Sequence, residues 1–379
     1  MADPILDAVN AVTNKVIWPR QITDNFFRAI PFFTMLRDKA IMNFDGGVLM
    51  QYPFLFNAEL GGAYAPGSSF NIDKIDTIAG MQFREKYYET NITEFKEEIQ
   101  VRNRGTAAVF SLLDARMKNA MMTITTIIAL DAWRHGQASG SSVADDRSIN
   151  INGISEALND GAVYSWDGNI FSTYGAQARN GAIGTALNST PQWLGTSTGT
   201  GGKITYERLE HMYQQATQGN LSPDLAVTSK RGMTLLKNTL QVQQEFTQES
   251  DPRYGFEGIR INKMLVTKDD YCPSAYGAND SRLGNYLTST FTSTGLTGTP
   301  AGGFPTSAAA STLTVGEILF MLNTDTWIFR VSSNPEFQFG WTGFKPGQDN
   351  TRVSGQVLAA VNLECVAPRL NIHGFGFTS

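Results

Sequence analysis

Residues 106–135 read TAAVFSLLDARMKNAMMTITTIIALDAWRH. Val109, Leu112, Leu113, Met117, Ala120, Met121, Ile124, Ile127, Ile128 and Trp133 recur at the i, i+3, i+4 spacing that lays an apolar stripe along an α-helix. Asn103 or Thr106 can cap the first turn, and Gly136 stands where a glycine closes a helix. About 30 residues at ~1.5 Å each predict a rod of ~45 Å, nearly three times an average helix. A rod of that length needs a structural purpose, which its flanking segments supply.

Upstream, Gly46–Phe56 (GGVLMQYPFLF) predicts a strand, and Pro53 within it points to a sheet edge. Residues 57–76 are rich in Gly, Ser, Asn and Pro, and β-prone sequence resumes over 77–98 with Phe83, Tyr87, Tyr88, Ile92 and Phe95. The sum is a long hairpin with a flexible tip, marginal by itself and in need of something to lie on. Further upstream, Ile22–Ala40 carries Phe26, Phe27, Ile30, Phe33 and Leu36 at helical spacing, interrupted by Pro31. Proline ends or kinks one short helix and lets another begin. So aromatic a terminal segment needs a partner surface, either its own body or a neighbouring chain.

Downstream, 138–203 is dense in turn signals such as Asn152-Gly153 and Asn159-Asp160-Gly161, which predict short strands and loops. Helices are expected over Ile204–Thr217 and Lys230–Gln241, and strands over Asp224–Thr228, Arg260–Thr267, Glu317–Asn323, Trp327–Val331, Glu336–Phe339 and Val357–Val366. Residues 273–314 hold only two charged side chains, Asp280 and Arg282, and are expected to form an insertion or long surface loop. The fold class is α+β.

The 379 residues carry 30 Lys+Arg and 35 Asp+Glu, so that 17% of them are charged, against roughly 25% in an ordinary soluble domain. A folded monomer of this mass exposes on the order of 15,000 Å², which leaves about one charge per 230 Å². Coverage that thin is a first sign of self-association. The longest apolar stretches, such as Met121–Leu130, fall far short of the ~20 residues a membrane span requires. Met1-Ala2-Asp3-Pro4 does not open a signal peptide, and Cys272 and Cys365 alone make neither a disulfide scaffold nor a zinc module. A net charge of −5 argues against a dedicated nucleic-acid reader.

Motifs that could carry chemistry fail on their spacing. Gly199–Lys203 approaches a phosphate-binding loop, but Ser197 and Ile204 stand where it needs Gly and Ser or Thr. Ser148, Asn150 and Asn152 mimic part of a calcium loop, with Asn159 where a bidentate Glu belongs. His135, His211 and His373 are isolated in sequence, and His135 suits the C-terminal end of the helix dipole. Arg84, Lys86, Lys96, Arg102 and Arg104 alternate with glutamates, the pattern of an ion-paired face rather than a phosphate track. No catalytic residue, cofactor site or metal site is expected.

The order of these parts (arm, hairpin, rod, loop-rich middle, closing strands) resembles the major capsid proteins of tailed bacteriophages with the Hong Kong 97-type fold. So does the wording of GGVLMQYPFLF, EFKEEIQVRNRGTAAVFSLLDARMKNA, GFEGIRINKMLVTKDDYCPS, ILFMLNTDTW and LECVAPRLNIHG. The resemblance implies an N-terminal arm over 1–45 and an extended loop over 46–80. It further implies a peripheral domain over 81–137 and 335–379 around a spine helix at 106–135, and an axial domain over 138–334 with a probable insertion at 273–314. Hexamers and pentamers would close into an icosahedral shell around double-stranded DNA contacted without sequence specificity. The chain would reside in the virion, and in the host cytoplasm during assembly, and no membrane is involved.

The resemblance also implies a portal, a decoration protein as an optional partner, and a separate scaffolding protein or a removed segment, because no long charged helical region precedes the arm. Phe26, Phe27, Ile30, Phe33, Leu36, Tyr64, Phe70 and Lys74 are the expected intersubunit contacts. Some members of that family join Lys to Asn between subunits. Lys74 is the residue such a link would use, although its Asn and Glu partners are not identifiable. Two alternatives stand beside this reading: an encapsulin-like nanocompartment shell and, remotely, an enzyme with a non-local site.

Overall fold

The computed structural model describes residues 31–377 apart from 98–111, 137–148, 162–170, 190–191, 194–201, 241–247, 251–256, 273–295, 298–311, 314–316, 347–351 and the single positions 40, 48, 71, 96 and 344. In chain order the first elements are α1 (Pro31–Lys39), β1 (Ile41–Phe44), β2 (Met50–Leu55), β3 (Ile78–Phe83), β4 (Lys86–Phe95) and α2 (Leu112–Asp131). The middle holds α3 (Ile154–Ala157), β5 (Thr173–Tyr174), β6 (Gln177–Ala178), α4 (Gly181–Leu187), β7 (Gln192–Trp193), α5 (Tyr206–Ala216), β8 (Leu225–Thr228) and α6 (Lys230–Leu240). Next come β9 (Gln248–Ser250), β10 (Glu257–Ile261), β11 (Met264–Lys268), β12 (Leu296–Thr297) and β13 (Thr312–Leu313). The chain closes with β14 (Glu317–Leu322), β15 (Trp327–Ser332), β16 (Gln338–Trp341), β17 (Lys345–Pro346), β18 (Arg352–Cys365) and β19 (Ile372–Phe377). Helices and mixed sheets together make the class α+β.

The chain divides into two compact units. One contains Glu89–Ile124 and Trp341–Val357; the other contains Arg28–Tyr88, Thr125–Gly340 and Leu358–Ser379. In the smaller unit the buried Glu94 carboxylate meets Arg116 at 2.7 Å, and the Arg352 guanidinium lies 6.0 Å from the centre of the Phe95 ring. Gly355 there leaves room for the Trp341 indole, which any side chain at that position would strike.

The larger unit is built on a seven-stranded sheet in the order β7-β19-β14-β8-β11-β10-β9. Every residue of β8, β14 and β19 is buried, as expected of strands covered on both faces, and their sequences are apolar runs rather than alternations. Helices α5 and α6 bury Leu209, Met212, Tyr213, Ala216, Met233 and Leu236 in one cluster with sheet residues. Their apolar residues recur at helical spacing, and Thr205 caps α5 by accepting from the Arg208 amide at 3.4 Å. A second sheet runs β1-β15-β18-β16, with β4 and β17 also pairing β18.

Several expectations need correction. The long helix is described from Leu112 and ends at Asp131, not His135, while the proposed caps Asn103 and Thr106 lie outside the described residues. Two i→i−3 bonds, Trp133 N–H to Leu130 and Arg134 N–H to Asp131, tighten the turn that follows, and the Ile154 amide caps the Ala132 carbonyl at 2.7 Å. Gly136 is therefore not the helix stop. It serves close packing, since a Cβ there would lie 2.7 Å from the Ile151 carbonyl oxygen.

The strand expected at Arg260–Thr267 is a hairpin. Asn262 adopts φ 55° between β10 and β11, which pair Ile261 with Met264; asparagine tolerates that conformation better than other side chains. Of the arm expected over 1–45, residues 1–30 lie outside the described residues. In α1, Phe32, Phe33, Met35 and Leu36 are buried, and β1 pairs in parallel with β15 from Ile41↔Phe329 to Phe44↔Ser332. Strand β19 lies in the seven-stranded sheet beside β14. Of the 273–314 insertion, only β12 and β13, paired through Leu296↔Leu313, lie among the described residues.

Candidate assembly surface

The hairpin of β2 and β3 is a two-stranded sheet in register from Met50↔Phe83 to Leu55↔Ile78, with Pro53 opposite Gly80. Among the described residues neither strand pairs with a third, which makes the edge position of Pro53 harmless. Beyond the ladder, residues 57–70 are exposed throughout. Exposed apolar side chains gather there: Tyr64 and Phe70 at 67% each, their rings 5.1 Å apart, and Ile72 at 90%. Leu55 and Ile78 add two more at the mouth of the ladder. Large apolar groups exposed together on one hairpin make it the candidate interaction surface.

The expected contact residues divide into three groups. Tyr64, Phe70 and Lys74 lie exposed on this hairpin. Phe26, Phe27 and Ile30 lie outside the described residues. Phe33 and Leu36 are buried inside their own unit, Phe33 edge-on to Phe329 at 5.2 Å. Their neighbour Phe32 sits 5.0 Å from Trp133 and 6.2 Å from Trp327. Burying such rings contributes roughly 1.5–3 kcal/mol apiece, ample reason for α1 to dock on its own body. Ile72 was not anticipated. Its signal is a lone branched hydrophobe inside the polar run Asn71-Ile72-Asp73-Lys74.

At the root of the hairpin lies a buried polar cluster. Glu156 accepts from Asn152 Nδ2 at 2.7 Å and from the Gly136 amide at 3.1 Å. Arg179 is held over the Tyr174 ring at 5.1 Å and donates to the carbonyls of Glu156, Ala157, Asn159 and Leu187. Asn362 joins Asn152 to the Arg84 carbonyl, which fixes β18 to the chain entering β4. Asn152, a candidate calcium ligand, is thus occupied as a structural hydrogen-bonding group. Residues 197–201 of the candidate phosphate loop lie outside the described residues.

The histidines sit on separate elements. His135 is 5.1 Å from Phe171, and His373 is stacked between Phe320 and Phe375. No group of His, Cys, Asp and Glu that could hold a metal ion occurs among the described residues.

Burial shapes the titration of this core. It pushes the Glu156 carboxyl up to about 7 against the opposing pull of its hydrogen bonds and Arg179, and it pushes Asp269 up to about 7 as well. Burial drives His373 down to about 3. A carboxyl raised by folding adds stability that is complete below its unfolded value and lost as pH climbs through about 7. The histidine acts oppositely, since its contribution is complete above about 6.5 and lost on acidification toward its folded value. Glu156→Gln is expected to flatten the fall in thermal midpoint between pH 5 and pH 8, read by calorimetry. An unchanged slope refutes that assignment.

No protein-family model matches the chain, and no curated protein matches it. Solved structures do. The cyanophage A-1(L) capsid subunit is 15% identical and superposes with a TM-score of 0.60 over 98% of this chain and 99% of its own. The SrpI encapsulin of Synechococcus elongatus PCC 7942 is 8% identical, with a TM-score of 0.56 over 100% of this chain and 96% of its own. The capsid subunit of a native GTA particle is 9% identical, with a TM-score of 0.53 over 98% and 99%. Each match spans nearly the whole of both chains. The chain has the Hong Kong 97-type fold of tailed-phage capsid subunits.

Proposed function

We propose that this chain is a major capsid protein whose activity is self-assembly, as hexamers and pentamers, into an icosahedral shell around double-stranded DNA. The observation that carries the reading is the exposed apolar hairpin on a fold whose solved examples are shell subunits. Tyr64, Phe70 and Ile72 lose their contact with water only when another molecule covers them. A closed shell provides that cover many times over, and repeated weak contacts sum to a stable particle. Separate scaffolding, portal and decoration proteins would serve assembly in the host cytoplasm, and the finished chain would reside in the virion. The role is structural and needs no cofactor.

The test is expression of the full chain with and without candidate scaffolding proteins, followed by size exclusion and negative-stain microscopy. Closed particles are expected. A stable 41.5 kDa monomer that forms no particle under any condition overturns the reading. The match to the encapsulin supports a second reading, a protein-filled nanocompartment. Particle contents separate the two: nuclease-protected DNA supports the capsid, and enclosed protein without DNA supports the compartment.

A further inference from the structure

The two strands of the exposed hairpin are attached to their unit in different ways. The chain entering β2 leaves the sheet at Asp45, whose carboxylate takes the Ser333 hydroxyl. Gly46 and Gly47 follow with φ 74° and 100°, and a Cβ on either would find nothing within 4 Å. The strand entering the hairpin thus passes through two unencumbered residues whose backbone only glycine adopts readily.

Strand β3, by contrast, is gripped by the turn between β5 and β6. The Gln82 amide donates to the Gly175 carbonyl at 2.8 Å, and Gln177 Nε2 donates to the Gly80 carbonyl at 2.7 Å. Gly175 sits so close that a Cβ would lie 2.8 Å from Met81 Cβ, and Phe83 meets Tyr174 edge-on at 5.4 Å. The turn is itself anchored. Gly175 and Ala176 both have positive φ (55° and 62°), the Tyr174 hydroxyl accepts from the Cys365 amide of β18 at 2.8 Å, and Arg179 follows immediately, held by four carbonyls.

We infer that Tyr174–Gln177 is a bracket that sets the direction in which the hairpin leaves its subunit, with Gly175 and Gln177 as positioning residues for assembly. The inference rests on the shell reading only for its consequence, since the geometry of the bracket belongs to the single chain. Contact through Tyr64, Phe70 and Ile72 demands that the tip arrive at one place on its partner. A strand held at Gly80 and Gln82 fixes that aim, and β2 follows through its register with β3.

The experiment places spin labels at Ser69→Cys on the tip and Ala182→Cys on α4 of the full-length, unassembled chain. Both native cysteines are buried and stay unlabelled. Gln177→Glu keeps the shape but removes the donor to Gly80, and Gly175→Ala crowds Met81. Each is expected to broaden the tip-to-body distance distribution and speed exchange of the Gln82 amide about five- to tenfold, the factor one net hydrogen bond carries. Gln177→Lys, which restores a donor, is expected to narrow the distribution again. Far-ultraviolet circular dichroism identifies any variant that has merely unfolded.

Distance distributions unchanged in both Gln177→Glu and Gly175→Ala overturn the bracket, as does a response to Gly46→Ala alone. Because the labels report on unassembled protein, absence of particles from the native chain removes the shell reading without touching this measurement. Native particles together with unaltered distances remove the bracket and leave the shell.

Discussion

Tyr64→Asp, Phe70→Asp and Ile72→Asp combined are expected to abolish particle formation while leaving the subunit as stable as before. The three side chains are exposed, so aspartate there costs the isolated fold little, within about ±0.5 kcal/mol per site. In an assembled particle each carboxylate would lose its water where a neighbour covers it. That burial carries a penalty of several kcal/mol per group. The penalty recurs at every subunit contact, and a shell that gains stability from many weak contacts loses it by the same multiplication. Sedimentation velocity should show a single slow species in place of particles, with an unaltered thermal midpoint. Full-sized particles from the triple variant would refute the hairpin as the assembly surface. A lowered midpoint would reveal an internal packing role instead.

Much of the architecture is legible in the sequence, and what escapes has physical causes. The apolar spacing from Met117 to Ile128 and the runs Leu225–Thr228 and Glu317–Leu322 identify their elements, because burial alone dictates their pattern. The exposed hairpin is legible for the opposite reason: a strand with a proline, followed by some twenty residues without helical or strand periodicity, has no core to enter. The end of α2 is not legible. It depends on the Ile154 amide reaching the Ala132 carbonyl, a contact between residues far apart in sequence.

Phe33 and Leu36 look the same in sequence whether their apolar face meets Phe329 of the same chain or a neighbouring copy. Periodicity reports that a face is covered, never by what. The bracket at Tyr174–Gln177 escapes for a further reason. Its grip on β3 runs largely through backbone carbonyls and amides, which every residue carries.

Arg179→Ala is expected to be the most destabilising single substitution in the larger unit. The side chain donates to the carbonyls of Glu156, Ala157, Asn159 and Leu187, which closes the end of α3 against α4. Alanine takes a donor from each of those carbonyls, while Asn159 keeps the Ser189 amide, and strips Glu156 of the stronger of its opposing charges. Leaving a buried acceptor short of its donor costs about 1–3 kcal/mol, and several at once take a large share of a total near 5–15. The thermal midpoint should fall by roughly 10 °C. Arg179→Lys keeps the charge but not the planar fork that serves several carbonyls at once, so it should fall in between.

The dependence on pH separates this account from simple loss of packing. Arg179 favours the ionised form of Glu156, and without it the carboxyl rises further above its ordinary range. The alanine variant should therefore lose stability over a wider span of rising pH, making its deficit larger at pH 8 than at pH 5. Adding Glu156→Gln to Arg179→Ala removes the titrating group and should cancel that difference while leaving most of the deficit at pH 5. If the deficit stays the same at both pH values in the single variant, the arginine acts only as a carbonyl clamp. Its charge then has no bearing on Glu156.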